Sequence, residues 1–441
     1  MANKIIIISD RKTQRMVYIF NLILKNILGL QVDFATENDS IEANIPIITY
    51  GITSSKTDFF IAADELLFER GIRELDFNFS TYKNLPCFFS TYHPKSIFPF
   101  DLFAASFFLV SRYEEYLPFI KDLHGRFDAP QSIAFQKGFL DKPMVNIWAK
   151  ELAAKLKEHY PDIELKTTQF KFLPTIDIDA AYAFKQKGFW RTAGGYFKDF
   201  RDRKWKDIVN RNLVLRGKKT DPFDSFDSIF SFHHKRHLKP IFFVLFANYG
   251  TNDKNLPINN RRFQSLVRRL MDYGDVGIHP SFTSNKQPEK VEEEIQNLSK
   301  VIHSEIFRSR QHFLMLSFPE TYKRIIDLGI TEDYTMGFAS CPGFRAGIAT
   351  PFYFYNLEYE MVTHLRIFPF AYMEGTLKDY QKLEPDEALK IIKKLTDTVF
   401  SVGGLMISLW HNESLGGQNR WEGWPEIYEQ AVDYALEKID F

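Results

Sequence analysis

The sequence predicts an α/β fold, with a parallel sheet wrapped by helices over residues 166–441 and a separate α/β unit over residues 1–165. In the second range, apolar runs of strand length, such as Ile241 to Ala247, alternate with segments whose apolar residues recur at helical spacing. Polar residues follow several of these runs directly. Because the catalytic side chains of α/β barrels lie where the strands end, the sequence also predicts a site at that edge of the sheet.

The first range holds three predicted elements. Lys4 to Ile8 is a short apolar strand, Val17 to Leu28 has apolar residues at helical spacing, and Ile45 to Tyr50 is a second strand. Two later motifs, SRYEEYLPF at 111–119 and HGRFDAP at 124–130, combine charged and aromatic residues without a metal-ligand spacing. Salt-bridged packing at a domain junction is therefore favoured over a second active site.

The second range predicts strands and helices in alternation, several of them with a recognisable start or stop. The last predicted strand delivers His411 at its carboxyl end. The predicted elements, in order, are a strand at 172–179, a strand at 241–247, a helix at 261–273 stopped by Gly274, a strand at 275–278 running into His279, a helix at 289–303, a helix between Pro319 and Gly329, a helix at 386–399 and a strand at 405–410.

The composition excludes several functional classes. Lys plus Arg and Asp plus Glu each number 56, so the formal net charge is zero and a chain-wide electrostatic footprint for nucleic acid is missing. The two cysteines, Cys87 and Cys341, exclude a disulfide framework or a thiolate-rich metal site. The four isoleucines near the start are too few for a signal-peptide core, and no apolar run approaches the roughly 20 residues of a membrane span. We therefore expect a cytoplasmic protein without a transmembrane segment.

One strongly basic segment departs from this balance. Residues 198–219 contain nine Lys or Arg and three Asp, a net charge of +6, with Phe200 and Trp205 among them. The segment is interpreted either as a solvated helical face inserted after the first strand of the sheet, or as a dock for an anionic carrier such as a phosphorylated or lipid-linked sugar. The sequence favours the first interpretation and leaves the second open.

Four motifs at or near strand ends carry the candidate chemistry. They are TIDID at 175–179, GIHPS at 277–281, SRQHF at 309–313 and LWHN at 409–412. In an extended strand, residues two apart share a face, so Asp177 and Asp179 converge on one site. Two adjacent carboxylates push their pKa values apart unless a cation lies between them. With histidines nearby, the pair predicts a divalent-metal site with a general base, although a single Asp-x-Asp is as often a turn or a helix cap.

In this order, across residues 170–415, the chain resembles the polysaccharide (NodB-type) deacetylases, a family of carbohydrate esterases. The resemblance implies a distorted (β/α) barrel, hydrolytic removal of N- or O-acetyl groups from sugars, and a divalent cation, most often Zn²⁺. The matching segments are TID at 175–177, KPIFFVLFA at 239–247, YGDVGIHPS at 273–281, SRQHFLMLSFPETYKRIIDLGI at 309–330 and LMISLWHN at 405–412.

The resemblance also implies roles for individual residues. It makes Asp177 the general base, Asp179 and His279 metal ligands, Arg310 the partner that positions the base, and His411 the general acid. These roles agree with the chemistry of acyl hydrolysis, which needs an activated water, a base to take its proton and an acid to protonate the leaving group.

The chain departs from the family pattern at four places. Ile178 separates the two carboxylates, Thr283 stands where the second histidine is expected, Arg310 is followed by Gln-His, and Asn412 replaces the final aspartate. His312 lies two residues after Arg310 in a segment that reads as extended, so it is expected on the same side of the sheet. We predict that His312 is the third metal ligand; the alternative is that it hydrogen-bonds substrate while water fills that position.

The sequence therefore predicts a metal-dependent hydrolase that removes an acetyl group from an acetylated sugar or glycan intermediate, which can be carrier-linked. Arg345 in the loop GFRAG, Trp410 and Asn412 are candidate substrate-binding residues, and Arg345 has the alternative of an ordinary loop arginine. Two other functions remain open. One is a different metal-dependent amide or ester hydrolase on the same fold, and the other is a non-catalytic carbohydrate-binding protein derived from it.

Overall fold

The protein has a mixed α/β architecture built on a four-stranded sheet and a nine-stranded sheet. The computed structural model describes residues 3–39, 44–53, 58–76, 78–166 and 168–439. The outer ends of the two predicted ranges, residues 1–2 and 440–441, lie outside the described residues.

The smaller sheet is parallel, with strand order β2-β1-β3-β4. Its first helix begins earlier than the sequence predicts, because the hydroxyl of Thr13 accepts the backbone N–H of Met16 and caps it. The elements are β1 (Lys4–Ile8), α1 (Gln14–Phe20), which continues as a π-helical segment (Asn21–Ile27), β2 (Gln31–Ala35), β3 (Ile47–Gly51) and β4 (Phe60–Ala62).

A short hairpin and three helices complete the first range. Helix α2 is buried along its whole length, and the carboxylate of Asp101 caps its first turn. The elements are β5 (Ser80–Tyr82), β6 (Leu85–Cys87), α2 (Leu102–Val110), α3 (Ile133–Gln136) and α4 (Met144–His159).

The larger sheet has the order β12-β13-β11-β10-β9-β8-β7-β15-β14, and all of its ladders are parallel except the one between β12 and β13. Among the described residues no ladder joins the two edge strands, β12 and β14, so the sheet is open between them. Its strands are β7 (Lys171–Ile178), β8 (Ile241–Val244), β9 (Asp275–Ile278), β10 (Arg308–Ser309), β11 (Glu332–Asp333), β12 (Phe352–Asn356), β13 (Met361–Ile367), β14 (Tyr372–Met373) and β15 (Leu405–His411).

Helices connect most of these strands. Within the described residues, none combines the length and the apolar character that crossing a bilayer requires. The helices are α5 (Gly188–Arg201), α6 (Trp205–Leu215), α7 (Phe226–Lys235), α8 (Arg261–Tyr273), α9 (Glu289–Ile302), α10 (Glu320–Asp327), α11 (Pro385–Ser401), α12 (Asn412–Leu415) and α13 (Trp424–Glu437).

Strand β8 is shorter than its apolar run. The sequence predicts a strand to Ala247, but β8 ends at Val244. Val244 pairs with Ile178 on one side and with Ile278 on the other, and both are the last residues of their strands. The apolar residues that follow are buried without a ladder, so hydrophobicity alone overstates the strand.

The larger sheet is buried on both faces, as a parallel sheet should be. In β15, Met406 and Trp410 belong to the main hydrophobic cluster, whereas Ile407 and Leu409 belong to a smaller cluster on the other face. The same alternation in β8 separates Phe242 from Phe243. The face of the smaller cluster is the one that carries the site.

The two ranges share a single main core. Ile5 and Phe103 from the first range and Ile176 from the second lie in one cluster. A buried ion pair crosses the same boundary, because Arg345 Nε donates to Glu115 at 2.9 Å. The division of the chain at about residue 165 stays a prediction.

Candidate active site

A cavity of about 280 Å³ opens at the carboxyl edge of the larger sheet. Ladder pairing brings its polar residues together, since His411 at the end of β15 pairs with Asp177 of β7. His279 is the first residue beyond β9, and Asp179 follows β7 directly. All four side chains line the cavity together with His312.

Asp179, His279 and His312 could hold a metal ion. Their ligand atoms all lie within 4.8 Å of one another. Nε2 of His279 is 3.2 Å from Asp179 Oδ1, and Nε2 of His312 is 3.4 Å from Asp179 Oδ2. Both histidines are buried, whereas the Asp179 side chain keeps 38% of its surface exposed toward the cavity. The arrangement leaves an open side through which water or a substrate could enter.

His312 reaches this cluster by a different local structure from the one predicted. Strand β10 ends at Ser309, and His312 begins a short 3₁₀ turn instead of continuing the strand. Its backbone N–H donates to the carbonyl of Pro280 at 3.2 Å, which ties the turn to the segment after His279. The ring centroids of the two histidines are consequently 5.0 Å apart.

Hydrogen bonds orient both imidazole rings. Nδ1 of His279 lies 2.5 Å from the carbonyl oxygen of Arg310, and Nδ1 of His312 lies 3.0 Å from a carboxylate oxygen of Asp253. Both partners are acceptors, so each Nδ1 carries the proton and donates it. In the neutral ring this leaves the lone pair on Nε2, the atom that faces Asp179.

The residues present therefore fit a divalent cation. Two imidazole lone pairs aimed at a carboxylate repel unless a positive charge lies between them. Oδ1 of Asp179 is also buried without a hydrogen-bond partner among the described residues. Two nitrogens and one carboxylate oxygen, with an open fourth side, form the donor set of catalytic sites for first-row divalent metals. His279 and His312 also have the outer hydrogen-bond partners that such ligands have.

The electrostatics of the three clustered side chains lead to the same interpretation. Burial by itself would raise the pKa of Asp179, but the neighbouring imidazoles, His312 first among them, hold it well below its usual range. Burial lowers the pKa of His312, yet the carboxylates of Asp179 and Asp253 outweigh it and raise the pKa to about 9. A proton on His312 thus supplies the positive charge that the carboxylates require.

Asp177 is held by a buried arginine. Arg310 donates from a terminal nitrogen to Asp177 Oδ1 at 2.8 Å and from Nε to the carbonyl of Tyr334 at 2.9 Å. The guanidinium also lies over the ring of Phe243, 4.5 Å from its centroid. The second oxygen of Asp177 is 3.7 Å from His279 Nε2, so it faces the cluster. One carboxylate oxygen is thereby anchored and the other is directed into the cavity.

His411, the ladder partner of Asp177, also faces the cluster. Its Nδ1 is 2.7 Å from Oε1 of Glu374, and the same oxygen accepts a hydrogen bond from Ser414 Oγ at 2.8 Å. Its Nε2 is 3.8 Å from Asp179 Oδ2. Burial lowers the pKa of His411, but the charge of Glu374 outweighs it, and the pKa rises to about 10. His411 is therefore protonated at neutral pH, with its Nε2–H toward the cavity.

Glu374 and Asp253 are functional candidates that the sequence reasoning missed. Glu374 directly follows β14, so the strand-end signal that found Asp177 was present there too. Asp253 lies in the loop after β8, well past the strand, and carries no comparable signal. Only the folded chain shows that Asp253 reaches His312.

Thr283 has a supporting position in this network. Its hydroxyl donates to Asp253 at 2.8 Å and its backbone N–H donates to the same carboxylate at 3.1 Å. Burial by itself would raise the pKa of Asp253, but hydrogen bonds from His312 and from the loop outweigh it and hold the pKa below its usual value. The residue at the expected place of the second family histidine therefore holds the carboxylate that orients His312.

The structure does not bring the three predicted substrate-binding residues into the cavity. Arg345 is buried and paired with Glu115. Trp410 precedes His411 in a strand whose side chains alternate, so it points to the opposite face and is fully buried there. Asn412 is also buried, and its amide donates to two loop carbonyls at 3.1 and 2.8 Å. These placements correct the sequence prediction and indicate structural roles.

Arg126, from the motif HGRFDAP of the first range, is instead a wall residue of the cavity. It is paired with Asp122 at 2.7 Å, donates to the carbonyl of Phe313 at 2.6 Å and reaches the hydroxyl of Tyr380 at 3.3 Å. Arg420, which also lines the cavity, is half exposed and paired with acidic neighbours. The sequence predicted packing for this motif, and the salt bridge agrees, but the contribution to the cavity was not foreseen.

Comparison with known families gives a partial match. Residues 5–161 match a family model described as a family of unknown function, DUF7033. That match lies within the first range and includes none of Asp179, His279 and His312. No curated protein matches the chain.

Solved structures with similarity to this chain include carbohydrate deacetylases. A candidate polysaccharide deacetylase from Mycobacterium smegmatis is 14% identical, with a TM-score of 0.39 over 62% of this chain and 86% of the other. A polysaccharide deacetylase from Bacillus cereus is 12% identical, with a TM-score of 0.30 over 62% and 87%. A mutant of a carbohydrate esterase family 4 pseudoenzyme with restored activity is 11% identical, with a TM-score of 0.31 over 62% and 65%.

Replacing one of the three clustered side chains tests the cation site. We expect His312→Ala to lower the affinity for a divalent cation at least about 100-fold, and Asp253→Asn to lower it about 10- to 100-fold, because the latter loses only an outer partner. Competition with a fluorescent chelator for Zn²⁺ or Co²⁺ measures both. The exposed His364→Ala is the control and should bind as the wild type does. Unchanged affinity in His312→Ala would remove it from the ligand set.

Cation affinity should also depend on pH in a defined direction. The pKa of His312 is raised to about 9, so below that pH a cation must displace a proton to reach Nε2. Affinity should therefore rise with pH, by about tenfold per pH unit between roughly pH 6 and 8 if one proton is released. Calorimetric titrations in buffers of different ionisation enthalpy count the released protons. Affinity independent of pH over this range would contradict a protonated His312 at the site.

Proposed function

We propose that this chain is a metal-dependent hydrolase, with Zn²⁺ as the most suitable cation, that removes an acetyl group from an acetylated sugar or glycan intermediate. The proposal includes a distorted (β/α) barrel as the scaffold. The observation that carries it is the set of groups that line the cavity. A carboxylate held by Arg310 and an imidazolium held by Glu374 both lie beside the Asp179–His279–His312 cluster.

Asp177 is suited to accept a proton. Arg310 fixes one of its oxygens at 2.8 Å, so the other stays in one orientation beside His279. A bound cation supplies Lewis acidity, which activates water and polarises an acyl carbonyl. Asp177 takes the proton that this activation releases, and the buried Arg310 keeps the carboxylate from turning away.

His411 is suited to donate a proton. Its pKa is raised to about 10 by Glu374, so it carries the proton at neutral pH. Glu374 accepts from Nδ1, which leaves Nε2–H directed into the cavity. Protonation of the leaving amine or alkoxide by His411 completes acyl hydrolysis. A site that only binds sugars needs neither the base nor the acid, which favours the hydrolase over the non-catalytic alternative.

The walls of the cavity suit a polar, hydroxylated substrate. Arg420 is half exposed, and Tyr380 presents a partly exposed ring with a hydroxyl. A volume of about 280 Å³ is at the small end of the range for ligand pockets. The cavity is thus of a size for one sugar unit with its acetyl group.

Separate variants of the two carboxylates test the assigned roles. Asp177→Asn is expected to lower kcat by about 10²- to 10⁴-fold and to keep its bound metal, because the side chain transfers a proton. Asp179→Asn is expected to lose the metal and the activity together. Acetate release from acetylated oligosaccharides and from a small acetyl ester, with metal content by mass spectrometry, measures both.

Asp275→Asn, at the opposite end of β9, is the control and should retain both properties. Loss of metal in Asp177→Asn with retention in Asp179→Asn would reverse the two roles. A metal-loaded wild type that binds sugars yet releases no acetate from any amide or ester would contradict the hydrolase.

A variant of Glu374 tests the acid. Because its charge raises the pKa of His411, Glu374→Gln should lower that pKa and move the alkaline limb of the kcat/KM profile to lower pH. Metal content should not change, since Glu374 contacts His411 and Ser414 and no clustered side chain. The pH–rate profile of the wild type and the variant measures the shift. An alkaline limb at the same pH in both proteins would exclude His411 as the acid.

A further inference from the structure

Helices α5 and α6, together residues 188–215 and named here the basic hairpin, expose an unusual set of side chains. Five aromatic residues of the hairpin are between 56% and 84% exposed: Phe189, Trp190, Phe197, Phe200 and Trp205. Val209 and Leu215 of α6 are exposed as well. Single exposed apolar residues are ordinary, but a cluster on one element marks an interaction surface.

Polar groups occupy the interior of this hairpin. Asp199 and Arg211 form a buried ion pair at 2.6 Å between the two helices. The hydroxyl of Tyr196 donates to Asn212 at 2.9 Å across the same contact. A hairpin that served only to pack on the protein would bury its aromatic rings and expose its ions. Here the ion pair is buried and the aromatic rings are exposed, which is the arrangement expected where the apolar surface binds a partner.

The hairpin is also strongly cationic. Residues 188–215 contain seven Lys or Arg and three Asp, a net charge of +4 in a chain whose net charge is zero, so the remainder of the chain carries −4. Arg211 is used inside the hairpin, but Lys198, Lys204 and Lys206 form no ion pair with any described residue. Aromatic rings and unpaired cations therefore share the same exposed surface.

We propose that the basic hairpin docks this protein on the surface of a membrane that contains anionic lipids. Trp and Phe side chains partition into the headgroup region, and Lys and Arg pair with lipid phosphates. An anionic membrane therefore provides contacts for both the exposed aromatic side chains and the exposed cations. A nucleic acid would use the cations and some rings, but it would leave the aliphatic residues Val209 and Leu215 in water. Charge complementarity and exposed apolar surface together favour the bilayer.

The basic hairpin adjoins the candidate active site. A second cavity is lined by Lys204, Trp205 and Lys206 of the hairpin and its loop, and by Arg420 and Trp421. Arg420 and Trp421 also line the cavity of the metal cluster. Docking would thus hold the mouth of the active site beside the lipid surface. This placement suits an acetylated glycan presented on a lipid carrier, an inference that rests on the proposed function.

Vesicle binding by the full-length protein tests the proposal. We expect vesicles of equal phosphatidylglycerol and phosphatidylcholine to bind the wild type at least about tenfold more tightly than phosphatidylcholine alone, with affinity falling as salt rises. The variant Trp190→Ser/Phe197→Ser/Phe200→Ser should lose at least about tenfold in affinity for the anionic vesicles. The variant Lys198→Gln/Lys204→Gln/Lys206→Gln should lose as much and show a weaker salt dependence.

Matched controls use equally exposed residues elsewhere. Tyr92→Ser/Ile120→Ser removes exposed apolar side chains of the first range, and Lys390→Gln/Lys394→Gln removes cations of α11. Both should bind vesicles as the wild type does. Because the aromatic triple variant removes only exposed side chains, its thermal midpoint and its acetate release from a small soluble ester should stay unchanged.

Three results would overturn the docking surface. They are equal binding of the wild type to both kinds of vesicle, wild-type binding by both hairpin variants, and an equal loss in the matched controls. A fourth result would also overturn it: weak vesicle binding by every protein together with tight binding of duplex nucleic acid that the lysine variant loses. The partner would then be a nucleic acid. None of these readouts depends on acetate release, so failure here is distinguishable from failure of the proposed hydrolase.

Discussion

The contact of Asp179 with the Nε2 atoms of His279 and His312 places three electron-pair donors within 4.8 Å at the edge of the sheet. Such a group is stable only with a positive charge at its centre, and much of the surrounding structure follows from that requirement. Asp253 accepts a hydrogen bond from Nδ1 of His312, and the carbonyl of Arg310 accepts one from Nδ1 of His279. The raised pKa of His312 shows that the cluster favours a positive charge. The outer partners thus belong to the site as much as the ligands do.

The proposed acid and the proposed base have separate partners. Each of the two side chains has its own buried partner of opposite charge. Arg310 accompanies Asp177, whereas Glu374 accompanies His411 and raises its pKa to about 10. Each partner comes from a different strand end from the group it holds. The proposed proton acceptor and the proposed proton donor are therefore each held by a residue from a different strand end.

The sequence predicts what depends on local pattern, and it misses what depends on distant contacts. Strand-end position was enough to place Asp177, Asp179, His279 and His411, because parallel strands present their carboxyl ends at one edge. Period-two alternation, applied to β15, would also have excluded Trp410, which is one residue from His411 and on the other face. Three other outcomes have no local signal. Arg345 pairs with a glutamate from the first range, Asp253 reaches His312 from a loop, and Arg126 enters the cavity from the opposite end of the chain.

The basic hairpin shows a related limit of sequence reading. Helical spacing identifies which residues share a face, but it does not say which face is inward, and aromatic residues are assigned to the core by default. In this hairpin the inward contact is an ion pair between Asp199 and Arg211, and a buried ion pair is weak evidence for stability. Folding stability therefore does not account for five aromatic rings left in water. A surface for contact with lipid accounts for them, and it explains why a chain of zero net charge carries a net charge of +4 on this hairpin, beside the cavity of the candidate active site.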